Sequence, residues 1–363
     1  MRPRLLIAIA ASCLGLWACR TPEAARKTVS EAPTAAELRL AYSGPPETWP
    51  APVILRPDGD AQFAEMGLSP PARPASAVSE LGRDLFFSSV LSANEDLACA
   101  TCHSPGHGFA STDRQAIGHN GMKGTRNAPT ILGAMHTAPY FWDGRADTLE
   151  AQAVGPILNP IEMAGSRAVL EERLNSRAEW RERFQAVLSV ETPTLEDVAT
   201  ALSAYERTLD VRTPFDAFLA GDRTAFDDRQ VEGLHIFRTK GRCMSCHEGP
   251  ALSDGAAHNI GLTYYGRKYE DLGLYRQTNA AEDVGRFNTP SLRHVSKTFP
   301  YMHNGLIPSL RGAVNYYNAG GARPKRKEGQ EDDRLFPTTS PRLEPLGLSA
   351  TEKEALIAFL ETL

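Results

Sequence analysis

Apolar side chains recur at one-turn spacing in two stretches of the chain, residues 78–86 and 231–237. That period predicts an amphipathic helix at each stretch. A second pair of helices is predicted at 195–209 and 351–363, because these segments share Ala, Leu, aromatic and Thr-Leu positions. Strand-like alternation is scarce between the helices, and Gly and Pro are frequent, so the pattern predicts a mostly helical, loop-rich protein.

The two pairs of helices belong to an internal repeat. Residues 127–144 and 288–305 match without a gap at a constant offset of 161, and both segments carry an Asn-x-Pro followed by a Thr-x-Pro-Tyr. Repeats of this kind indicate a duplicated structural unit. We therefore predict two tandem domains, 77–215 and 225–363.

Composition and charge exclude two classes of protein. The 363 residues are 42% hydrophobic, enough to fill one or two cores. The 39 Lys and Arg residues against 44 Asp and Glu leave a formal charge of -5, with no basic excess to neutralise a nucleic acid. Four of the six cysteines form two tight pairs and the other two lie in the first twenty residues, which excludes a disulfide-stapled scaffold.

The N-terminus predicts export. Arg2 and Arg4 precede an apolar run of 14 residues, 5–18, which is shorter than the roughly 20 residues of a membrane-spanning helix. We interpret 1–18 as a signal peptide. The segment ending at Cys19 resembles a lipobox, so the mature chain is either an outer-membrane-anchored lipoprotein acylated there or a soluble periplasmic protein. Residues 19–76, rich in Pro and Ala, are predicted to be a tether and N-terminal arm.

Each half carries one C-x-x-C-H motif. The first is Cys99, Cys102 and His103, and the second is Cys243, Cys246 and His247. Two thiols at this spacing can each bond one vinyl group of haem, and the adjacent imidazole can then ligate the iron. A four-cysteine zinc site or two redox dithiols are the alternatives, but neither requires a histidine directly after the second cysteine. We predict two c-type haems.

The motifs together resemble the bacterial di-haem cytochrome c peroxidase superfamily, which includes MauG-type enzymes. The resemblance covers residues 77–363 and also depends on Phe-Trp-Asp-Gly-Arg at 141–145, the Gly-Pro to Glu-Met segment 155–163 and Pro-Tyr-Met-His-Asn-Gly at 300–305. It implies a mostly α fold of two tandem cytochrome c-like domains, each with one covalently attached haem. It also implies reaction with H2O2.

The repeat distinguishes the two haems. Position 317 minus 161 is 156, so Tyr317, which can ligate iron, corresponds to Pro156, which cannot. The first haem is therefore the candidate peroxide site. The resemblance places Glu162 over its open face, where a carboxylate can move a proton between the peroxide oxygens. Without that resemblance, Glu162 reads as an ordinary carboxylate at a helix start.

The resemblance assigns further residues. A histidine 16 residues after the first motif blocks the first haem in the ordinary peroxidases, and 103 plus 16 is 119; otherwise His119 is an exposed loop residue. Trp142 corresponds to His303 and is implied to relay electrons between the haems, although a lone Trp is more often core. The resemblance also implies calcium at the domain junction, held by three residues: the Asn127 side chain and the carbonyls of Thr298 and Pro300.

The sixth ligand of the second haem distinguishes two candidate functions. The ordinary peroxidases have methionine as its sixth ligand, whereas MauG-type enzymes have tyrosine, as Tyr317 implies; Tyr316 or Met302 is the alternative ligand. His119 favours a peroxidase that draws electrons from a small cytochrome c or cupredoxin. Tyr317 favours a MauG-type enzyme that oxidises Trp or Tyr of a partner protein. A non-catalytic electron shuttle is the third hypothesis, and a homodimer is compatible with the sequence.

Overall fold

The described part of the chain, residues 32–57, 62–209 and 211–363 of a computed structural model, is mostly helical. Its α-helices are α1 (Ala35–Ala41), α2 (Ala77–Phe87), α3 (Cys99–Cys102), α4 (Leu149–Leu158), α5 (Arg167–Ser176), α6 (Ala178–Leu188), α7 (Leu195–Glu206), α8 (Pro214–Leu219), α9 (Asp228–Arg238), α10 (Tyr275–Thr278), α11 (Leu310–Asn318) and α12 (Ala350–Leu360). The predicted helical class is confirmed. The signal peptide and Cys19 lie outside the described residues.

Short elements fill the connections. Strands β1 (Ala257–His258) and β2 (Phe287–Asn288) form one antiparallel pair. The 3-10 helices are Pro46–Thr48, Ser89–Leu91, Pro105–His107, His119–Gly121, Ala134–His136, Arg223–Ala225, Cys243–Ser245, Ala281–Asp283 and Val295–Lys297. Within the described ranges, no helix combines the length and the apolar character that crossing a bilayer requires.

Each half is built on one helix crossing. In the first half α2 packs against α7, and a Cβ on Gly82 would lie only 1.8 Å from the Ala201 carbonyl oxygen. In the second half α9 packs against α12, and a Cβ on Gly233 would lie 2.0 Å from the Ala355 carbonyl oxygen. Both crossings therefore require glycine, because a methyl group would overlap the backbone of the facing helix.

The repeat found in the sequence is also a repeat in structure. Helices α4 and α11 begin 161 residues apart, at 149 and 310, and each is capped by the hydroxyl of the preceding residue, Thr148 or Ser309. Ahead of them, isolated bridges join Tyr140 to Ala146 and, 161 residues later, Tyr301 to Ile307. The same local sequence thus sets the same backbone twice.

Two hydrophobic cores correspond to the two halves. The first contains buried residues from Leu81 to Tyr205. The second contains the core of α9 and α12 but also Phe215, whose ring lies 5.5 Å from that of Phe359. Phe215 and Phe218, the aromatic side chains of α8, thus pack in the core of the second half.

The N-terminal arm packs on the second half. Its buried side chains Leu38, Tyr42 and Trp49 belong to the second core. The Val53 amide donates to the Arg238 carbonyl at 2.8 Å, and the Arg238 side chain forms an ion pair with Glu65. The arm is thus part of the fold around the second C-x-x-C-H motif.

Candidate haem-binding and active site

The two C-x-x-C-H motifs open onto different cavities. Cys99, Cys102 and His103 line one, and Cys243, Cys246 and His247 line the other. All four thiols are free. The first motif forms the short helix α3 and the second begins on a 3-10 turn, so each Cys pair lies on one turn of backbone.

The alternative of a four-cysteine zinc site does not fit this arrangement. A tetrahedral zinc site needs its ligands within one coordination shell. Among the described residues, one group of three metal-binding side chains has its ligand atoms within 4.8 Å of one another: Cys246, Asp254 and His258. This group contains only one cysteine. The two pairs therefore act separately.

Both motif histidines are oriented for iron ligation. His103 Nδ1 lies 3.2 Å from the Phe109 carbonyl oxygen, and His247 Nδ1 lies 3.0 Å from the Leu252 carbonyl oxygen. Burial lowers the pKa of both imidazoles, so they are neutral. A neutral ring that donates its Nδ1 proton to a carbonyl presents Nε2 as a lone-pair ligand. Free thiols beside such a histidine fit covalently attached haem.

The first cavity brings Pro156 and Glu162 together with His103. Pro156 lies inside α4 and presents no donor atom to the cavity. The Asn159 amide donates to Glu162 Oε1 at 2.7 Å and fixes that carboxyl. Burial raises the pKa of Glu162, although Arg145 and Asn159 act in the opposite direction. Glu162 is thus a carboxyl group that a hydrogen bond orients and whose pKa burial raises.

His119 is not among the residues that line this cavity, whereas Gly118 is. The His119 amide donates to the Glu162 carbonyl at 2.7 Å, and its ring Nε2 lies 3.0 Å from the Asn120 side-chain nitrogen. A Cβ on Gly118 would lie 2.1 Å from the Ile161 carbonyl oxygen. The loop therefore packs directly on the backbone that carries Glu162.

Tyr317 and Met302 line the second cavity, together with His247. Tyr317 lies on α11, and burial strongly raises the pKa of its phenol. Tyr316 points elsewhere: its hydroxyl donates to the Ile260 carbonyl at 2.5 Å and accepts from the Ala322 amide at 2.9 Å. Tyr317 and Met302 are the candidate ligands that reach this cavity, and Tyr316 does not.

Trp142 lines both cavities. Its indole Nε1 donates to the Asn127 carbonyl at 2.9 Å, and its ring lies 6.3 Å from that of His303. His303 is buried, which lowers its pKa to about 3, and it stacks on Phe287 at 3.6 Å. The repeat-equivalent pair Trp142 and His303 therefore lies between the two motifs, with a neutral imidazole beside the indole.

The three residues predicted to hold calcium, Asn127, Thr298 and Pro300, all line the second cavity. The Asn127 side-chain nitrogen donates to the Asp113 carbonyl at 2.9 Å, and its backbone amide donates to the His303 carbonyl at 2.8 Å. The first bond turns the side-chain oxygen away from Asp113. Amide and carbonyl oxygens fit the preference of calcium for hard donors.

Sequence reasoning missed two buried titratable groups. Burial lowers the pKa of His258, but hydrogen bonds to Asp254 and Cys246 raise it to about 9, and Nε2 lies 2.8 Å from Asp254 Oδ2. The Asp-His spacing of four residues was the available signal. Glu206, at the end of α7, lines the first cavity with Cys99, and burial raises its pKa to about 8. The sequence feature that could have indicated Glu206 is an acidic residue at the end of an apolar helix.

Comparisons with known proteins agree with this geometry. The family model described as di-haem cytochrome c peroxidase matches residues 76–224. The chain is 33% identical over 341 residues to cytochrome-c peroxidase IdrP1 of Denitromonas iodatirespirans, covering 84% of this chain and 88% of that protein. It is 34% identical over 287 residues to methylamine utilization protein MauG of Methylorubrum extorquens, covering 78% and 77%.

The fold is similar to a solved structure of this group. The crystal structure of a MauG-like protein associated with microbial copper homeostasis superimposes with a TM-score of 0.72 at 27% identity, covering 85% of this chain and 95% of that chain. The family implies two c-type haems, and the two cavities fit them. This chain belongs to the di-haem cytochrome c peroxidase family of oxidoreductases.

Proposed function

We propose that this peroxidase is periplasmic and reduces H2O2 to water with electrons from a small cytochrome c or cupredoxin. The difference between the two cavities supports the proposal. At the position where the second cavity has Tyr317, the first cavity has Pro156, which cannot ligate iron, and beside it the acid-base group Glu162. A haem that reacts with peroxide needs the first arrangement, and a haem that transfers electrons needs the second.

The two motifs would hold the haems, with His103 and His247 as the protein ligands. A haem bound in the first cavity would supply the electrons that reduce the peroxide O–O bond. The overall reaction, H2O2 + 2 e⁻ + 2 H⁺ → 2 H2O, takes two protons from solvent, and breaking the O–O bond also requires that one proton of the peroxide move from the near to the far oxygen. Glu162 performs this transfer: its carboxylate takes the proton of the near oxygen and returns it to the far oxygen as the bond breaks.

The surroundings of Glu162 suit this role. Asn159 donates to Oε1 at 2.7 Å and so holds the carboxyl group in one orientation. Burial raises the pKa of Glu162, which makes the carboxylate a better proton acceptor than an exposed one. The neighbouring Arg145 partly opposes the effect of burial on the pKa of Glu162.

The loop at His119 and the calcium site complete the proposal. Since the His119 amide bonds to the Glu162 carbonyl, a movement that brought the imidazole into the first cavity would also displace Glu162. His119 would then gate the site as a temporary sixth ligand. Calcium on Asn127, Thr298 and Pro300 would tie the loop before Trp142 to the second half, and Trp142 would relay electrons between the cavities.

A second candidate is a MauG-type enzyme that uses peroxide to oxidise Trp or Tyr side chains of a partner protein. Tyr317 in the second cavity favours it. Against it, the resemblance to MauG-type enzymes implies a tryptophan two residues before Cys243 that conducts oxidising equivalents to the protein substrate, and this chain has Gly241 there. A Cβ there would lie 2.7 Å from the Ile236 carbonyl oxygen. The backbone at position 241 therefore has no room for a bulky side chain.

The N-terminal sequence supports the proposed periplasmic location. Export by residues 1–18 would place the chain in the periplasm, where haem attachment to C-x-x-C-H motifs takes place. Acylation at Cys19 would anchor it to the outer membrane through residues 20–33, ahead of α1.

Steady-state turnover separates these functions. We expect the exported holoprotein to consume H2O2 continuously when reduced cytochrome c is supplied, with two cytochromes oxidised per peroxide, as the balanced reaction requires. Absence of turnover together with a long-lived oxidised state of the protein would favour the MauG-type function. Absence of any reaction with peroxide would indicate an electron shuttle and contradict both.

A further inference from the structure

Glu206 is a buried carboxyl group that the proposed proton transfer does not use. It is the last residue of α7 and is 8% exposed, and its Oε2 is buried without a hydrogen-bond partner among the described residues. It lines the first cavity together with Cys99 and Glu162. A buried carboxylate without a partner destabilises the folded state, so stability does not explain a glutamate in this wall.

The equivalent position in the second half is apolar. Helices α7 and α12 correspond to each other, since each meets a glycine of its partner helix at an alanine carbonyl, Ala201 or Ala355. Five residues after these alanines lie Glu206 and Leu360, because 206 minus 201 and 360 minus 355 are both five. Leu360 is 7% exposed and lines the second cavity. The fold thus accepts leucine here, and only the half with the candidate peroxide site has a carboxyl.

The two charged groups that act on Glu206 are paired with each other. Arg207 lowers the pKa of Glu206 and Glu150 of α4 raises it, but these two side chains form an ion pair at 2.8 Å. Burial has the largest effect and raises the pKa of Glu206 to about 8. The positive charge of Arg207 is therefore shared with a second carboxylate.

The other elements packed against α7 supply no counterion to Glu206 among the described residues. The thiol and phenols nearby have raised pKa values and are neutral: Cys99, Tyr140 and Tyr205. The arginines of α2 and α5 are engaged in other ion pairs: Arg83 with Glu80 and Asp84, Arg167 with Glu171, and Arg173 with Glu95. The charge state of Glu206 therefore responds to what occupies the cavity.

An electron added inside this cavity favours the protonated form of Glu206. The haem that the family implies would be bonded to Cys99, in the same cavity wall. Reduction lowers the positive charge on the iron by one, and a charge acts strongly on a buried carboxyl because the interior has a low dielectric constant. The pKa of Glu206 is thus higher beside a reduced haem than beside an oxidised one.

We propose that Glu206 is a redox-linked proton-binding site of the first haem cavity. For each electron that the first haem accepts, the Glu206 carboxylate takes up at most one proton from solvent and becomes a carboxylic acid. When that electron leaves for peroxide, the acid releases the proton, which becomes one of the two solvent protons that form water. The role of this site in the reaction rests on the proposed function.

The test is a redox titration of the holoprotein at several pH values, without peroxide. We expect the midpoint potential of the first haem to fall as the pH rises, because the reduced form binds the extra proton. We expect this dependence to be lost in Glu206→Gln and in Glu206→Leu, which has the residue of position 360. Glu196→Gln, which changes an exposed carboxylate on the same helix, keeps the native dependence. The second haem of every variant is an internal control.

A first-haem potential in the native protein that does not change with pH overturns the inference. A pH dependence that persists in both Glu206 variants also overturns it, since another group then binds the proton. The infrared difference spectrum between reduced and oxidised native protein requires no variant, and absence of a new carboxylic acid band on reduction contradicts the inference by itself.

Peroxide consumption, measured separately, keeps the two proposals distinguishable. A protein that consumes H2O2 but shows no redox-linked protonation overturns the role of Glu206 alone. A protein that shows this protonation but consumes no H2O2 overturns the proposed function, whereas Glu206 is still identified as the proton-binding site.

Discussion

The Glu162→Gln variant reacts with H2O2 more slowly than the native protein by about 10²- to 10⁴-fold, the usual contribution of a positioned acid-base group. The amide keeps the size of the side chain and can still pair with Asn159, which lies 2.7 Å from Oε1. It cannot accept the peroxide proton. Stopped-flow measurement of the Soret change after peroxide addition gives the rate directly.

The pH dependence of the same rate tests the acid-base role of Glu162 in a second way. Burial raises the pKa of Glu162 above that of an ordinary glutamate. The carboxylate is the active form, so the native rate falls as the pH decreases through this raised pKa, and the fall begins at a higher pH than for an exposed Glu. The Gln variant loses this acid limb.

A matched control is Glu172→Gln, which changes an exposed carboxylate on α5 of the same half. It is expected to keep the native rate, and both variants are expected to keep the native haem content. An unchanged rate in Glu162→Gln would remove the general-base role and leave Glu162 as a residue that only caps or packs.

The Tyr317→Phe variant changes the optical and EPR spectra of the low-spin haem. Tyr317 lines the second cavity beside His247, and an anionic phenolate ligand favours the oxidised iron. Without the phenol oxygen, the iron of a haem bound there would either lack a sixth ligand or take the Met302 sulfur as that ligand. Met302 lines the same cavity. A thioether in its place would raise the reduction potential.

Tyr316→Phe is the control for this prediction. Its hydroxyl is bonded to the Ile260 carbonyl and the Ala322 amide, away from the cavity. The low-spin spectrum of this variant is expected to match that of the native protein. A native spectrum in Tyr317→Phe, or a changed ligand field in Tyr316→Phe, would reassign the ligand.

Sequence reasoning succeeded where spacing along the chain determines the structure. The offset of 161 between residues 127–144 and 288–305 predicted a duplicated structural unit, and the helices that follow these segments, α4 and α11, begin 161 residues apart. The same offset paired Pro156 with Tyr317, and each lines the cavity of its own half. A local sequence repeat suffices here because caps and turns are short-range features.

Sequence reasoning was weaker where long-range packing decides. The rings of α8, including Phe215, are buried against Phe359, some 144 residues later, which no local pattern indicates. The choice between Tyr316 and Tyr317 required the direction in which each hydroxyl points. The raised pKa of Glu206 likewise follows from burial beside Cys99 rather than from its neighbours in sequence.

Every role proposed for Glu162 and Tyr317 requires two haems bonded to one polypeptide. The direct measurement is the haem content of the exported mature protein, obtained from its intact mass and from the pyridine haemochrome spectrum. The geometry of the two Cys pairs and their histidines predicts a Soret band and two covalently attached haems per chain. A mass that shows one haem or none would contradict it.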